Sequence, residues 1–200
     1  MNFDASFDLD YDHKEHRNRI IRIILKIIIW ILILGSAITA GWAITKYCFE
    51  LTNMIGNSMN ETLSDGDRVM INRMSYIKND PGRFDVIVFE KNGKEHSYYG
   101  IRRVIGLPGE TVQIIDGVVF INGEILDEII NVEPMNVSGL ASEPVVLDDD
   151  EFFVLGDNRN NSEDSRFTSM GNISRDEIIG KAWIRTNKFG FIGNFNKKEG

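Results

Sequence analysis

Apolar residues are distributed in two different patterns along the chain, and the change between them falls at Lys46. Before this position, residues 27–45 form nineteen consecutive positions without a charged side chain, and residues 20–25 extend the apolar run toward the N-terminus. Because a helix needs about 20 apolar residues to cross a bilayer core, this run predicts a transmembrane helix over residues 20–46. The alternative of a buried core helix is disfavoured, since core helices seldom run so long without a polar face.

Basic residues are concentrated on one side of this apolar run. Lys46 alone follows it closely, whereas five bases precede it: Lys14, Arg17, Arg19, Arg22 and Lys26. The positive-inside rule therefore predicts that residues 1–19 are cytoplasmic and that residues 47–200 lie on the outer side of the cell membrane. Residues 1–19 alternate acids with aromatics without a helical period, which predicts a disordered leader. A cleavable signal peptide is the other interpretation, and the polar leader and long apolar run argue against it.

After the apolar run, short β-branched segments alternate with Gly, Asn and Asp. Seven of these segments predict strands, over residues 68–74, 84–89, 98–105, 111–115, 118–121, 152–155 and 181–185. Asp116-Gly117 predicts a hairpin turn and Asn122-Gly123 another turn, because both dipeptides accept positive φ. Residues 127–150 are polar and without a clear period, which predicts a surface loop or a reduced insert. Together these features predict a mainly antiparallel β domain over residues 47–200.

Charge and cysteine content exclude several classes of function. The net charge is −8, and it resides beyond residue 45, because acids and bases balance in residues 1–45. An acidic domain argues against nucleic acid as a partner, since phosphate binding requires a basic face. The single cysteine, Cys48, cannot form an internal disulfide or a cysteine-based metal site. Asp157 and Asp164 lack the ligand spacing of a calcium loop, so we expect neither a metal nor a cofactor.

Three segments of the predicted domain carry candidate chemistry: residues 56–63 (GNSMNETL), 102–110 (RRVIGLPGE) and 156–166 (GDNRNNSEDSR). In this order, behind one apolar segment, they resemble the signature of type I signal peptidases of Gram-positive bacterial type, in peptidase family S26. The resemblance runs from Gly56 to near the C-terminus. It implies an irregular β-barrel-like catalytic core tethered by one N-terminal transmembrane helix.

The first segment contains the residue that the resemblance assigns as the nucleophile, Ser58. A serine hydroxyl needs a base to take its proton before it can attack a carbonyl. The resemblance also implies that Met59 packs beneath the nucleophile and that the Ser58 N–H contributes to an oxyanion hole. The family usually has proline where this chain has Glu61. Because proline fixes φ, the exchange implies a less rigid loop with an added charge beside the site.

The second segment departs from the family at Arg102, where the resemblance expects the lysine that acts as general base. Burial can lower the pKa of a lysine by several units, whereas a guanidinium keeps its proton. We therefore expect that Arg102 does not accept the proton of Ser58 and pairs with a nearby acid instead. Lys94 and His96 are the remaining candidate bases, and only a fold-back at Asn92-Gly93 would bring either near the site.

The third segment fits the family pattern at the positions that support the site. Ser162 matches the serine that orients the lysine amine through a hydrogen bond. Asp164 and Arg166 match a structural ion pair, with Arg103 nearby. Asp157-Asn158 is expected to hold the loop through hydrogen bonds from its side chains to the backbone.

Two functions are compatible with these residues. The first is a membrane-anchored serine endopeptidase that removes signal peptides from exported preproteins, cleaving after small residues at positions −1 and −3. The second is a catalytically silent homologue that binds exported or pilin-like segments and assists secretion or assembly. Expected partners are signal peptides and membrane lipid, with secretion machinery or pilus assembly proteins in the second case. The expected location is the cell membrane, crossed once.

Overall fold

The structure is a computed structural model that describes residues 5–90 and 99–193, with side chains described from residue 17 onward. The chain divides into two compact units, Met1–Lys46 and Tyr47–Gly200. The first unit is helical and the second is built mainly of strands. Lys94, His96 and the Asn92-Gly93 turn lie outside the described residues.

A single long helix, α1 (Ala5–Cys48), contains all the described residues of the first unit and ends two residues beyond it. Its portion Arg17–Cys48 is long and apolar enough to cross a membrane, judged by length and composition. The hydroxyl of Ser36 donates to the Ile33 carbonyl at 2.8 Å, so this polar group is satisfied within the helix. The helix also includes residues 5–19, where a disordered leader is expected. Extending a helix that has already formed requires much less free energy than nucleating one, so the apolar run can propagate it.

The second unit contains twelve described strands. These are β1 (Phe49–Asn53), β2 (Arg68–Asn72), β3 (Val86–Phe89), β4 (Gly100–Gly106), β5 (Thr111–Ile115), β6 (Val118–Ile121), β7 (Glu124–Ile125), β8 (Val145–Val146), β9 (Glu151–Leu155), β10 (Ile173–Ser174), β11 (Ile178–Arg185) and β12 (Gly190–Phe191). Eight of them form a large sheet in the order β1-β2-β11-β3-β4-β9-β10, with β12 beside β11. The other four form a smaller sheet in the order β7-β6-β5-β8. All strand pairs are antiparallel, which confirms the predicted fold class.

The predicted β5–β6 hairpin is confirmed with the predicted strand bounds. Asp116 and Gly117 have φ of 50° and 78°, the left-handed conformations that a two-residue hairpin turn requires. The region 127–150 is largely irregular, although it contains a 3-10 helix, Gly139–Ser142, and strand β8. The sequence did not predict β1 or the two-residue strands β7, β8, β10 and β12.

Irregularities in register curl the large sheet. The pairing shifts between Val104 and Gly106 where β4 meets β9, and β11 carries two further shifts against its neighbours. Such bulges increase the local twist of a sheet. Alternate residues of β9 enter different core clusters, Phe153 with Leu155 and Phe152 with Val154, so the strand is buried on both faces. Strands β4 and β9 therefore form a firmly packed support for the segments that follow them.

Candidate active site

The three segments predicted to carry chemistry converge in the second unit. Strand β4 carries Arg102 and Arg103, and it pairs with β9, which leads directly into residues 156–166. The loop between β1 and β2 carries Ser58, whose carbonyl accepts a hydrogen bond from the Asn158 N–H at 3.0 Å. The Asn158 side-chain amide donates to the carbonyl of Asn57, also at 3.0 Å. Asn158 of the third segment therefore binds the two successive carbonyls of Asn57 and Ser58 in the first segment.

The loop of Ser58 is closed at its base by backbone hydrogen bonds. The Met54 N–H donates to the Asp67 carbonyl at 2.8 Å, and the Gly66 N–H donates to the Met54 carbonyl at 2.9 Å. Met59 is fully buried in a core cluster, where the resemblance places it. Ser58 itself is 8% exposed. Among the described residues, no recorded hydrogen bond uses its N–H, which leaves this donor available to a substrate oxyanion.

The Asp67 carboxylate stabilises the same loop. Burial raises the pKa of this carboxyl, but hydrogen bonds from the Ser64 N–H, the Asn187 amide and Arg185 outweigh the effect of burial. The resulting pKa of Asp67 lies below its ordinary value. Asp67 is therefore ionised at neutral pH, and its negative charge is stabilised by donors from two separate parts of the chain.

Glu61 occupies a conformation that proline cannot adopt. Its φ is 89°, whereas a proline ring fixes φ at about −65°. Positive φ is unusual for a residue with a side chain and is stabilised only by its surroundings. A proline at this position would therefore require a different backbone path after the nucleophile, a difference beyond the expected loss of rigidity and added charge.

Arg103 forms the most completely buried ion pair of the site. It is 0% exposed, and its Nε and Nη2 donate to the two carboxylate oxygens of Asp157 at 2.7 and 2.5 Å. Thr62 donates to the same carboxylate at 2.5 Å. Arg103 thus pairs with Asp157, whereas the sequence predicted only that Arg103 lies near the ion pair of Asp164. The Asp157 side chain consequently binds Arg103 and Thr62, and this corrects its expected role in bonding the backbone.

The ion pair expected between Asp164 and Arg166 is present. Arg166 Nε and Nη2 donate to the Asp164 carboxylate at 2.8 and 2.9 Å. Asp164 also accepts the Gly156 N–H at 3.1 Å, and Arg166 donates to the Arg159 carbonyl at 2.5 Å. These bonds fix the curvature of residues 156–166, because both charges of this pair lie in the loop and also bond its backbone.

Gly156 is the point where Ser58 and Ser162 meet. A Cβ at this glycine would lie 2.2 Å from the Ser162 Oγ and 2.5 Å from the Ser58 carbonyl oxygen. No residue with a side chain fits there, so glycine permits the close approach of the two loops. The Ser162 hydroxyl oxygen is buried and has no hydrogen-bond partner among the described residues. Such an orphaned group is unusual in a protein interior and marks a place that a donor should occupy.

The Arg102 guanidinium does not fill that place. Its Nε and Nη2 donate to the Glu163 carbonyl at 2.9 and 2.7 Å, and its Nη1 donates to the Ile101 carbonyl at 2.7 Å. Burial lowers the pKa of Arg102, and the nearby Asp164 and Glu163 carboxylates oppose this shift. A guanidinium has no lone pair suited to accept a proton and stays charged in proteins. Position 102 therefore supplies positive charge beside the site but no general base.

A polar cavity of about 410 Å³ adjoins the site. It is lined by Asn60 and Glu61 after the nucleophile, by residues 131–133, and by residues 157–160. No pattern in the sequence predicts this cavity, because residues 131–133 show no period and approach the site only in the folded chain. Thr62 was also missed, although its position four residues after Ser58 could have suggested that it shares the loop.

Comparisons with known proteins agree with the motifs. The family described as signal peptidase, peptidase S26, matches residues 27–186. Over 155 residues the chain is 36% identical to the probable signal peptidase I-2 of Synechocystis, covering 75% of this chain and 68% of that protein. Over 171 residues it is 39% identical to the signal peptidase I of Leptolyngbya laminosa, covering 80% of this chain and 81% of the relative.

A crystal structure of a signal peptidase I from Enterococcus faecalis is similar over 52% of this chain and 97% of that one, with 31% identity and a TM-score of 0.42. The family match covers more than half of the sequence, and the two relatives are aligned over more than two thirds of their lengths. The chain therefore belongs to the signal peptidase family, peptidase S26.

Proposed function

We propose that this protein is a membrane-anchored serine endopeptidase of the signal peptidase I type, which removes signal peptides from exported preproteins with Ser58 as the nucleophile. Membership of the family and relatives named signal peptidase I support this substrate class. The observation that carries the proposal is the position of Ser58. It lies where the three segments meet, with a backbone N–H that the described residues leave unused.

The chemistry follows from these groups. The Ser58 oxygen bonds to the scissile carbonyl carbon, and the carbonyl oxygen becomes an oxyanion that the Ser58 N–H stabilises. The C–N bond then breaks, the amine leaves with a proton, and water hydrolyses the acyl-enzyme. Because Arg102 cannot take the serine proton, that proton passes to solvent and turnover is slow. Binding and oxyanion stabilisation alone still give about 10³–10⁴-fold acceleration over water in serine proteases that lack a triad member.

We also propose that α1 anchors the protein in the cell membrane, with residues 1–19 in the cytoplasm and the β unit outside. The support is the excess of bases before the apolar run. Protease added to intact protoplasts is expected to digest the β unit and to leave an N-terminal tag protected. Protection of the β unit together with loss of the tag would reverse this orientation.

Arg102 favours a second candidate function, a silent homologue that binds exported or pilin-like segments and assists secretion machinery or pilus assembly proteins. The specific observation is that its guanidinium binds the Glu163 carbonyl, while Ser162 Oγ has no hydrogen-bond partner among the described residues. In this case the site retains a peptide but does not cleave it. The two candidates share the substrate class and differ in whether Ser58 forms a covalent bond.

One experiment separates the two candidates. The full chain in detergent is incubated with a preprotein that has alanine at −1 and −3, and the product is followed over hours by mass spectrometry. The first candidate predicts slow cleavage at the signal junction that Ser58→Ala abolishes. Ser64→Ala, a change at an exposed serine of the same loop, serves as the control and should cleave like the native chain. Binding of the preprotein without Ser58-dependent product would instead establish the silent function.

A further inference from the structure

The polar cavity beside the nucleophile has walls from three separate parts of the β unit. Asn60 and Glu61 belong to the loop of Ser58, residues 131–133 to the irregular region before β8, and residues 157–160 to the segment that follows β9. Its volume of about 410 Å³ is large enough for a long side chain. The small residues expected at substrate positions −1 and −3 would leave most of this space unfilled, so the cavity suits a different position of the peptide.

Hydrogen bonds connect the chain on either side of residues 131–133 to residues 159 and 160. Arg159 donates to the carboxylate of Glu128, which precedes residues 131–133 in sequence, at 2.7 Å. The Asn160 amide donates to the Pro134 carbonyl at 3.1 Å, and the Asn136 N–H donates to the Asn160 side-chain oxygen at 2.9 Å. Residues 131–133 are therefore held in place by hydrogen bonds of residues that precede and follow them in sequence. The cavity is a preformed feature, which reduces the ordering entropy that binding must offset.

The cavity is continuous with the peptide segment of the nucleophile. Asn158 lines it, and the same residue donates from its backbone to the Ser58 carbonyl and from its side chain to the Asn57 carbonyl. A group bound against Asn158 thus lies one hydrogen bond away from the residue proposed to attack the substrate. This proximity places the cavity within the substrate cleft.

Charge decides which side chain the cavity accepts. Two of its ionised residues are already neutralised, Asp157 by Arg103 and Arg159 by Glu128. Glu61 and Glu133 also line the cavity, and neither has an ion-pair partner among the residues that the structure describes. The lining therefore carries two uncompensated negative charges among neutral amides, which is complementary to a cation.

We propose that this cavity is a subsite that selects a lysine or arginine side chain of the substrate near the scissile bond, with Glu61 and Glu133 as the residues that set the preference. The inference rests on the proposed function, because it assumes that a signal-peptide segment occupies the cleft. Glu61 stands where the family resemblance expects proline, so the preference is a property of this chain rather than of the family pattern.

The test measures binding, so it does not depend on turnover. Fluorescent peptides that span a signal-peptide cleavage site carry lysine, glutamine or glutamate at each flanking position in turn, and anisotropy gives their Kd with the full chain in detergent. At one position the lysine peptide should bind about three- to tenfold more tightly than the glutamine peptide, and the glutamate peptide more weakly than either. Raising the salt concentration should reduce the difference, because the cavity is open to solvent.

Variants assign the preference to the two glutamates. Glu61→Gln with Glu133→Gln should equalise the lysine and glutamine peptides, whereas Glu143→Gln, at an exposed acid outside the cavity, should keep the native preference. If the paired variant fails to fold, the ranking of the three peptides on the native chain still decides the question. Equal binding of all three peptides at every position would overturn the subsite and leave the proposed function standing. Failure of every peptide to bind would instead remove the proposed function, and the subsite with it.

Discussion

Arg102 and Arg103 are adjacent on strand β4 but lie in two different regions of the site. We call the surroundings of Arg103 the supporting region and the surroundings of Arg102 the reactive region, and the two regions differ in whether their polar groups are hydrogen-bonded. Arg103 is fully buried and binds both carboxylate oxygens of Asp157. In the described part of the chain, Arg102 binds only backbone carbonyls, those of Glu163 and Ile101. Arg102 binds the carbonyl of the residue after Ser162, whose buried hydroxyl has no hydrogen-bond partner among the described residues. The polar groups of the supporting region are thus paired, whereas this hydroxyl of the reactive region is not.

Buried polar groups in proteins are almost always hydrogen-bonded, so an exception usually marks a functional position. The two ion pairs that shape the loop, Arg103 with Asp157 and Asp164 with Arg166, are both formed. The resemblance assigns the base lysine to position 102, so we infer that Arg102 alters the chemistry of the site and leaves its framework intact.

The largest effect on stability is expected from Asp157→Asn, which breaks the buried pair of the supporting region. Removing one partner of a buried ion pair leaves an uncompensated charge and lowers the free energy of unfolding by about 3–5 kcal/mol. Ser162→Ala is the matched change in the reactive region. We expect it to alter the free energy of unfolding by less than about 0.5 kcal/mol, because the hydroxyl forms no hydrogen bond with the described residues that could be lost. Urea unfolding of the full chain in detergent measures both. Equal losses would show that the two regions do not differ as described.

A smaller loss is expected from Gly156→Ala, at the contact between the two loops. The added Cβ would lie 2.5 Å from the Ser58 carbonyl oxygen, so the backbone must shift. Overpacking of this kind lowers the free energy of unfolding by about 1–3 kcal/mol. Gly190→Ala is the control, since its Cβ would meet its nearest neighbour at 3.6 Å, an ordinary contact. A Gly156→Ala protein with native stability and native peptide binding would contradict the proposed meeting of Ser58 and Ser162.

The smallest effect concerns pH and the base of the nucleophile loop. Because the pKa of Asp67 is lowered in the folded state, its contribution to stability is present above the unfolded pKa of about 3.9 and is lost as pH falls through the folded pKa. Thermal unfolding of the native chain and of Asp67→Asn, followed from neutral to acidic pH, should show native stability exceeding that of the variant at neutral pH. The two curves should converge in acid. A difference that stays constant with pH would exclude an ionised Asp67 as the cause.

Much of the fold was predictable because its signals are local. Residues 111–115 and 118–121 flank an Asp-Gly pair, so the turn and both strands could be located from a few adjacent positions. The two-residue strands were not predictable, because strands β7, β8, β10 and β12 are defined by pairing with distant partners rather than by their own pattern. Strand β1 was missed because it follows α1 without a turn signal.

The site was predictable as a set of residues but not as a set of contacts. The motifs placed Arg103 near the Asp164–Arg166 pair and predicted that Asp157, seven positions before Asp164 in the same loop, bonds the backbone. Which acid binds Arg103 depends on the register of β4 against β9, and that register includes a shift between Val104 and Gly106 that the sequence does not reveal. For the same reason the path of Arg102 to the Glu163 carbonyl could be found only in the folded chain.

We infer that the reactive region lacks only an amine to act as the general base. The most direct test is the rate at which the Arg102→Lys variant cleaves a preprotein. General-base assistance contributes about 10²–10⁴-fold, so this variant should cleave faster than the native chain by a factor in that range. The gain should disappear with Ser58→Ala and should be reduced strongly with Ser162→Ala, because the resemblance assigns this hydroxyl to orient the amine. Arg103→Lys, the same change one residue further along, should give no gain.

The pH dependence of the same reaction provides the decisive comparison. In Arg102→Lys the rate should rise with pH as the buried amine loses its proton, because the neutral amine is the base. The native chain should show no such titration, since its guanidinium remains charged over that range. We expect this pair of pH profiles together with the gain in rate. Rapid Ser58-dependent cleavage by the native chain, with no gain from Arg102→Lys, would contradict the inference.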